Sequence, residues 1–255
     1  MNRNQLKYLV IIAMLIDHIA WVFIPMTSVL GQIMHFIGRL TAPTMAYFIS
    51  EGYYYTHNIK KYAFRLGVFA IISWIPFVYF EFGTLPIYYI NGHLFIHSTV
   101  GVIYTLFLGL MAIWLWDKGI CPKWCKILGI IGLCIISVIG DWAFFNVLWC
   151  LFFYIYRDKP KQKWIAYSIV GLVCCAPILF TDIWWTYLFM TGIFMVPILI
   201  QFFYNGQSGS QNNIKNKSFH KINKIELATY AYIFVSKKFG SFCKDRNFDN
   251  KKYTY

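Results

Sequence analysis

Apolar residues run in long, nearly unbroken segments from residue 5 to residue 204, parted by short polar or aromatic breaks. Eight segments stand out, at roughly 5–25, 33–55, 62–81, 99–116, 126–140, 142–157, 163–181 and 184–204. Most come close to the 17–25 residues that a helix needs to cross a bilayer. The pattern predicts an all-α fold, a polytopic transmembrane helical bundle of about eight spans. The fifth and sixth segments are short and nearly contiguous. They predict either a tight hairpin around Gly140-Asp141-Trp142 or one long, broken element. In the second segment, Pro43 follows Gly38 by five residues, which predicts a kink beside Arg39 and freed backbone carbonyls.

Charge placement adds an orientation. Arg3 and Lys7 precede the first span, and Lys60, Lys61 and Arg65 separate the second from the third. Lys118, Lys123 and Lys126 follow the fourth, and Arg157, Lys159, Lys161 and Lys163 follow the sixth. The connections near 26–32, 82–98, 140–142 and 181–184 hold no Lys or Arg. Positive residues favour the cytoplasmic side, so both termini are expected there. The first segment lacks a small-residue cleavage site and contains Asp17, so no cleavable signal peptide is expected. After Tyr204 the composition turns polar at "NGQSGSQNN", which divides a transmembrane domain, 1–204, from a basic cytoplasmic tail, 205–255. Within the tail, "IELATYAYIFV" (225–235) is too short to span and is expected at the membrane surface. The aromatic connection 82–98 is expected to dip into the membrane interface as a re-entrant or lid segment.

Composition agrees. Hydrophobic residues make up 59% of the 255 and charged residues 13%, about half the charge of a typical soluble domain. The net charge of +13 comes largely from the loops and the tail, which suit anionic lipid and require no nucleic-acid partner. Cys134, Cys150, Cys174 and Cys175 lie in apolar spans, where cysteine acts as a small hydrophobe. Cys121 and Cys125, in "CPKWC", have no second pair at zinc-site spacing, so no metal is expected there. His93 and His97 have i, i+4 spacing but lack a clear third ligand, and solvated loop histidines are the simpler reading.

The chemistry lies where charge interrupts the apolar pattern. "VIIAMLIDHIAWVFI" (10–24) places Asp17 and His18 inside the first span, and the second span carries Arg39 and Glu51. An ionised Asp or Arg at a helix centre costs roughly 2.5–3.5 kcal/mol on translocon scales. At 1.5 Å per residue, Asp17 and Arg39 fall at about the same depth, 18–20 Å above the cytoplasmic edge. An Asp17–Arg39 pair is therefore expected, since pairing reduces the cost of burying either charge. Neighbouring residues point about 100° apart on a helix, so of Asp17 and His18 one holds Arg39 while the other lines a cavity. Either the pair is a structural clamp with His18 merely hydrogen-bonded, or His18 is a general base or proton carrier near pH 7. Glu51, near the cytoplasmic end of its span, is expected to snorkel or to pair with Arg65. No phosphate loop, dinucleotide fingerprint, serine elbow or kinase motif is present.

These residues carry a resemblance. "MLIDHIA", "IGRLTAPTMAYFISEGYYYTHNIKKYAFRLGVFAIISWIPF", "YTLFLGLMAIW" and "FYNGQSG" resemble the TraX family, in order, over about 200 residues. The resemblance implies a bacterial multi-pass acetyltransferase of the cytoplasmic membrane, a class associated with N-terminal acetylation of conjugative pilin. It implies acetyl-CoA as acyl donor and leaves an amine, such as a peptide N-terminus, or a hydroxyl as acceptor. By that likeness Asp17, His18, Arg39 and Glu51 are the candidate catalytic residues. Lys60, Lys61 and, less strongly, Arg65 are placed to meet the phosphates of CoA. The tail departs from the family pattern, because it lacks a last apolar helix with Phe-Tyr-x-x-His-Leu. Two other classes fit the buried charges: a transporter with a path through Asp17, His18, Arg39 and Asp141, and a structural assembly protein with polar interhelical contacts. No inverted repeat supports the transporter.

Overall fold

The computed structural model describes residues 1–90, 93–180, 182 and 184–206. Nine α-helices are found among them: α1 (Arg3–Phe23), α2 (Val29–Gly38), α3 (Thr41–Tyr55), α4 (Ile59–Phe82), α5 (Val102–Lys118), α6 (Lys123–Ile136), α7 (Ala143–Ile155), α8 (Pro160–Cys175) and α9 (Val196–Phe203). Two stretches of 3-10 helix, Ala176–Phe180 and Trp184–Met195, connect α8 to α9. Each of the eight apolar segments is therefore largely helical. Among the described residues, three continuous helices are long and apolar enough to cross a membrane: Arg3–Phe23, Ile59–Phe82 and Pro160–Phe180.

Local chemistry sets the ends. Asn2 and Gln5 form a reciprocal capping box at the start of α1, with both bonds at 2.9 Å. Ser28 caps α2 through Gly31 N–H at 3.0 Å, and Asn58 caps α4 through Lys61 N–H at 2.9 Å. At the other end of α4, Gly83 closes the helix at φ +69°, a left-handed conformation that glycine takes without steric cost. The expected kink in the second segment is a full break at Arg39 and Leu40, ahead of Pro43. Pro43 falls in the first turn of α3, where its missing N–H leaves no bond unmade. The fifth and sixth segments form the hairpin alternative, turning through Gly140-Asp141-Trp142. That turn is stitched to the start of α5 by Asp141 N–H donating to Val100 O at 2.9 Å.

The all-α expectation has one exception. Ile87–Ile90 and His93–Ile96 pair as a small antiparallel hairpin, β1 and β2, with Tyr88 opposite Phe95. The β-branched and aromatic residues of 87–90 and 93–96 suit strands, so part of the expected re-entrant or lid connection is strand. His93 thus opens a strand and His97 lies beyond its end, so their helical spacing is not realised. His97 instead stacks on Phe82 at 4.4 Å and hydrogen-bonds Thr84 at 2.9 Å.

The packing centre is α7, bordered by α3, α5, α6 and α8. Trp149 on α7 is fully buried, stacks on Tyr167 of α8 at 5.5 Å and donates its indole N–H to Tyr167 O. Phe64, Val68, Ile71, Ile72 and Ile75 on α4, with Ile165, Ile169 and Leu172 on α8, point outward and are exposed. Helices apolar on both faces suit a hydrocarbon solvent. The fold and its apolar helices mark a membrane protein. The tail from residue 207 onward, including 225–235, lies outside the described residues.

At the Lys118 end of α5, Asp117 joins three helices. It accepts 2.8 Å hydrogen bonds from Tyr53 of α3 and Tyr154 of α7. Burial pushes its carboxyl up, but the two tyrosine bonds together with the Lys118 ammonium at 3.5 Å outweigh that effect and hold it below the ordinary value. A depressed carboxylate stabilises the fold above its unfolded pKa, and that stability is lost as pH falls through the folded pKa. Asp117→Asn should therefore cost about 1 kcal/mol at neutral pH. Thermal melts in detergent from pH 7 to pH 4 and below should show the gap to wild type closing at the acid end; a pH-independent gap contradicts the clamp.

Candidate functional site

The close approach of α1 and α2 builds the site. Gly38 lies against the side chain of Asp17, and a Cβ there would overlap the Asp17 Cβ and Cγ. Because α2 comes so near, His35, one turn before Gly38, reaches the acid. Its Nδ1 lies 2.7 Å from Asp17 Oδ1. A carboxylate only accepts, so His35 donates from Nδ1. The His35 ring is fully buried between Trp21 at 4.7 Å and Phe189 at 5.3 Å, and its Nε2 has no hydrogen-bond partner among the described residues.

This corrects the expected Asp17–Arg39 pair. Arg39 closes the C-terminal end of α2, so its side chain leaves on another side of the helix. Its guanidinium packs over Phe189 at 4.7 Å and Trp142 at 5.3 Å. Among the described residues no carboxylate lies within ion-pair distance of it, and its Nε is buried without a hydrogen bond. The cation is held by ring faces, which attract it through their quadrupoles.

His18, the next residue along α1, faces the cavity with Asp17. Its Nδ1 lies 2.7 Å from Met14 O, and a carbonyl only accepts, so Nδ1 carries the proton. The neutral ring therefore keeps its basic lone pair on Nε2. Phe80 of α4 packs against the ring at 5.0 Å.

Asp17, His18 and Arg39 border one cavity of about 400 Å³, together with Glu81, Asp141 and Trp142. Three carboxylates thus share it with one permanent cation. Thr99 also borders it, with a buried hydroxyl that has no partner among the described residues. Trp142 has φ +63° and Ala143 φ +36°, a region that costs a non-glycine residue of order 1–3 kcal/mol. Buried polar contacts hold the turn: the Thr105 hydroxyl lies 3.0 Å from Asp141 O and accepts from the Asn146 amide at 3.0 Å. The strained turn puts the Trp142 indole beneath Arg39.

The other candidates lie elsewhere. Glu51 does not join this cavity and does not meet Arg65. It pairs with Arg3 at 3.3 Å and accepts from Tyr204 at 2.7 Å and Tyr47 at 3.1 Å. It borders a separate cavity of about 660 Å³ with Lys163 and Trp164. Lys60, Lys61 and Arg65 are exposed near the start of α4. From Arg65 to Glu81 is 16 residues, about 24 Å along the helix. Sequence reasoning missed His35 and Glu81. The signal for His35 was its position four residues before Arg39 and three before Gly38, an imidazole in an apolar helix beside a small residue.

A helical membrane protein with a polar chamber set among its helices is the class that this fold and site define. Residues 2–222 match the family described as "TraX protein". The chain is also 30% identical over 233 residues to "Probable fimbrial assembly protein FimC, serogroup H1" of Dichelobacter nodosus, across 83% of this chain and 89% of that one. No solved structure matches it. The chain belongs to the TraX family.

Gly38→Ala tests the helix approach. Its methyl group has to displace Asp17 or part α1 from α2, at about 1–3 kcal/mol. Thermal denaturation should show the loss, and an unchanged melting temperature would contradict so close an approach.

Proposed function

We propose that this protein is an integral membrane acyltransferase that moves an acetyl group from acetyl-CoA to an amine. The observation that carries the reading is His18, whose Nδ1–H is committed to Met14 O so that Nε2 is the basic atom, in a cavity shared with Asp17 and Arg39. The likeness to a protein named for fimbrial assembly favours a pilus-associated acceptor, such as the N-terminus of a pilin. Asp17, Glu81 and Asp141 around one cation favour an acceptor that arrives as an ammonium group.

In this reading His18 Nε2 takes a proton from the acceptor nitrogen as that nitrogen attacks the acyl carbon. Arg39 stabilises the negative charge that develops on the acyl oxygen. Asp17, held in place by His35, balances the imidazolium that forms on its neighbour. As the carbon–sulfur bond breaks, His18 returns the proton to the departing sulfur. An acceptor that arrives as an ammonium first gives one proton to a chamber carboxylate, from which it passes to solvent. It gives the second through His18 to sulfur, so the products are the amide, free CoA thiol and one released proton. Glu51 has no part in these steps and acts as an anchor between α1 and α9. Lys60, Lys61 and Arg65 meet the phosphates of CoA at the cytoplasmic face.

The proposed topology has eight spans with both termini in the cytoplasm of a bacterial cell. Helix in all eight apolar segments and the alternation of basic connections support it. A cysteine introduced by Gly92→Cys should react with an impermeant thiol reagent in intact cells; labelling only after lysis overturns this orientation.

Purified protein in lipid nanodiscs with radiolabelled acetyl-CoA tests the chemistry. His18→Ala should lower turnover at least about 100-fold while the folded yield stays near wild type. Arg39→Gln should also fold, because His35 rather than Arg39 holds Asp17, and should lose activity. Undiminished turnover in either variant removes that residue from the mechanism.

A further inference from the structure

The basic end of α4 and the chamber are too far apart for one small group to touch both. A cleft between α1 and α4 connects them. It encloses about 260 Å³, and the two helices face each other across it while scarcely touching. Its α4 wall is a single stripe at helical spacing, Tyr62, Leu66, Phe69, Ser73 and Phe77. Its α1 wall starts at Asn4 and Lys7 and ends at Met14. Met14, Thr41, Ala42, Phe77 and Val102 border both the cleft and the chamber, so the two spaces adjoin. From Asn4 to His18 is 14 residues, about 21 Å of helix.

We infer that this cleft is the path by which the pantetheine arm of an acyl-CoA reaches His18, with the nucleotide left at the Lys7, Lys61 and Arg65 end. The inference rests on the acyltransferase reading and adds to it the residues that receive the donor's arm. The polar stops in the cleft fit such an arm. Tyr62 borders the cleft with a hydroxyl, lying beside Gly52, that makes no hydrogen bond among the described residues. The Ser73 hydroxyl donates to Ala70 O at 3.0 Å and the Thr41 hydroxyl to Val10 O at 3.4 Å, which leaves both oxygens able to accept. One donor and two acceptors spaced along an apolar slot match an arm of two amides joined by methylene groups. A hydrocarbon chain from the bilayer would need none of them.

Ser73→Cys, in a background with the natural cysteines replaced, tests the path in nanodiscs. The readout is its rate of alkylation by N-ethylmaleimide, with and without a thioether analogue of acetyl-CoA that has no free thiol. The analogue should slow alkylation at least fivefold, whereas adenosine 3′,5′-bisphosphate, which lacks the arm, should not. Ile72→Cys, on the outward face of α4, should be indifferent to both. Adding Leu66→Trp should block the cleft and abolish the protection. Unprotected Ser73→Cys under saturating, calorimetrically measured binding overturns the path and leaves the acyltransferase reading standing. Absence of any CoA binding overturns both. Alkylation that is slow from the start and indifferent to the analogue assigns the cleft to a bilayer chain and overturns the path as well.

Discussion

The arrangement of the chamber depends on how near α2 can come to α1. Gly38 removes the Cβ that would keep the helices apart, and Asp17 occupies the space so released. That single approach brings His35 within 2.7 Å of the acid and turns Arg39 toward Trp142 and Phe189. In a bilayer, where apolar surface gives helices little reason to associate, small residues and interhelical hydrogen bonds do most of the holding. Here the contact that joins two helices also leaves an arginine without a carboxylate partner. An acid paired with a buried imidazole and a cation held by aromatic rings are both stable enough to persist, yet both keep capacity for a ligand.

Polar side chains gather at the two ends of the bundle. One end carries Glu51 with Arg3 and Tyr204, and Asp117 with Tyr53 and Tyr154. These groups tie helices together through an ion pair and hydrogen bonds, although Arg3 also keeps a buried Nε without a hydrogen bond among the described residues. The other end carries Asp17, Arg39 and Thr99, each with hydrogen-bonding capacity that no described residue takes up. Buried polar groups without partners are costly, and their presence around the chamber supports the reading of it as a site. What separates Glu51 from the chamber residues is its own partners, the Arg3 guanidinium and the Tyr47 and Tyr204 hydroxyls, although its sequence setting is much like theirs.

The positions of the apolar helices were legible because their signal is one of length and composition, which packing does not alter. The break between α2 and α3 was legible in outline from Gly38 and Pro43, since both limit backbone geometry locally. The partner of Asp17 was not. Depth along two helices placed Asp17 and Arg39 at one level, but depth carries no information about rotation, and a helix turns 100° per residue. Charge complementarity favoured the arginine, while the geometry of a glycine contact favoured the histidine three residues before it. The hairpin at 87–96 was missed because its aromatic, uncharged residues suit a membrane interface and a strand equally well. Trp142 gave no warning, because nothing in its neighbours requires a left-handed backbone.

Trp142 also sets stability and chemistry against each other. Glycine would adopt φ +63° with no strain, but Trp142→Gly would relieve that turn only by losing a ring that packs on Trp149 at 5.8 Å. Such a variant would also take away one of the two rings over which the Arg39 guanidinium rests. The arginine would then be free to swing toward Asp141 or Glu81 and neutralise itself there. Relaxing the backbone at that turn would close the chamber from within, without any change to Asp17, His18 or Arg39.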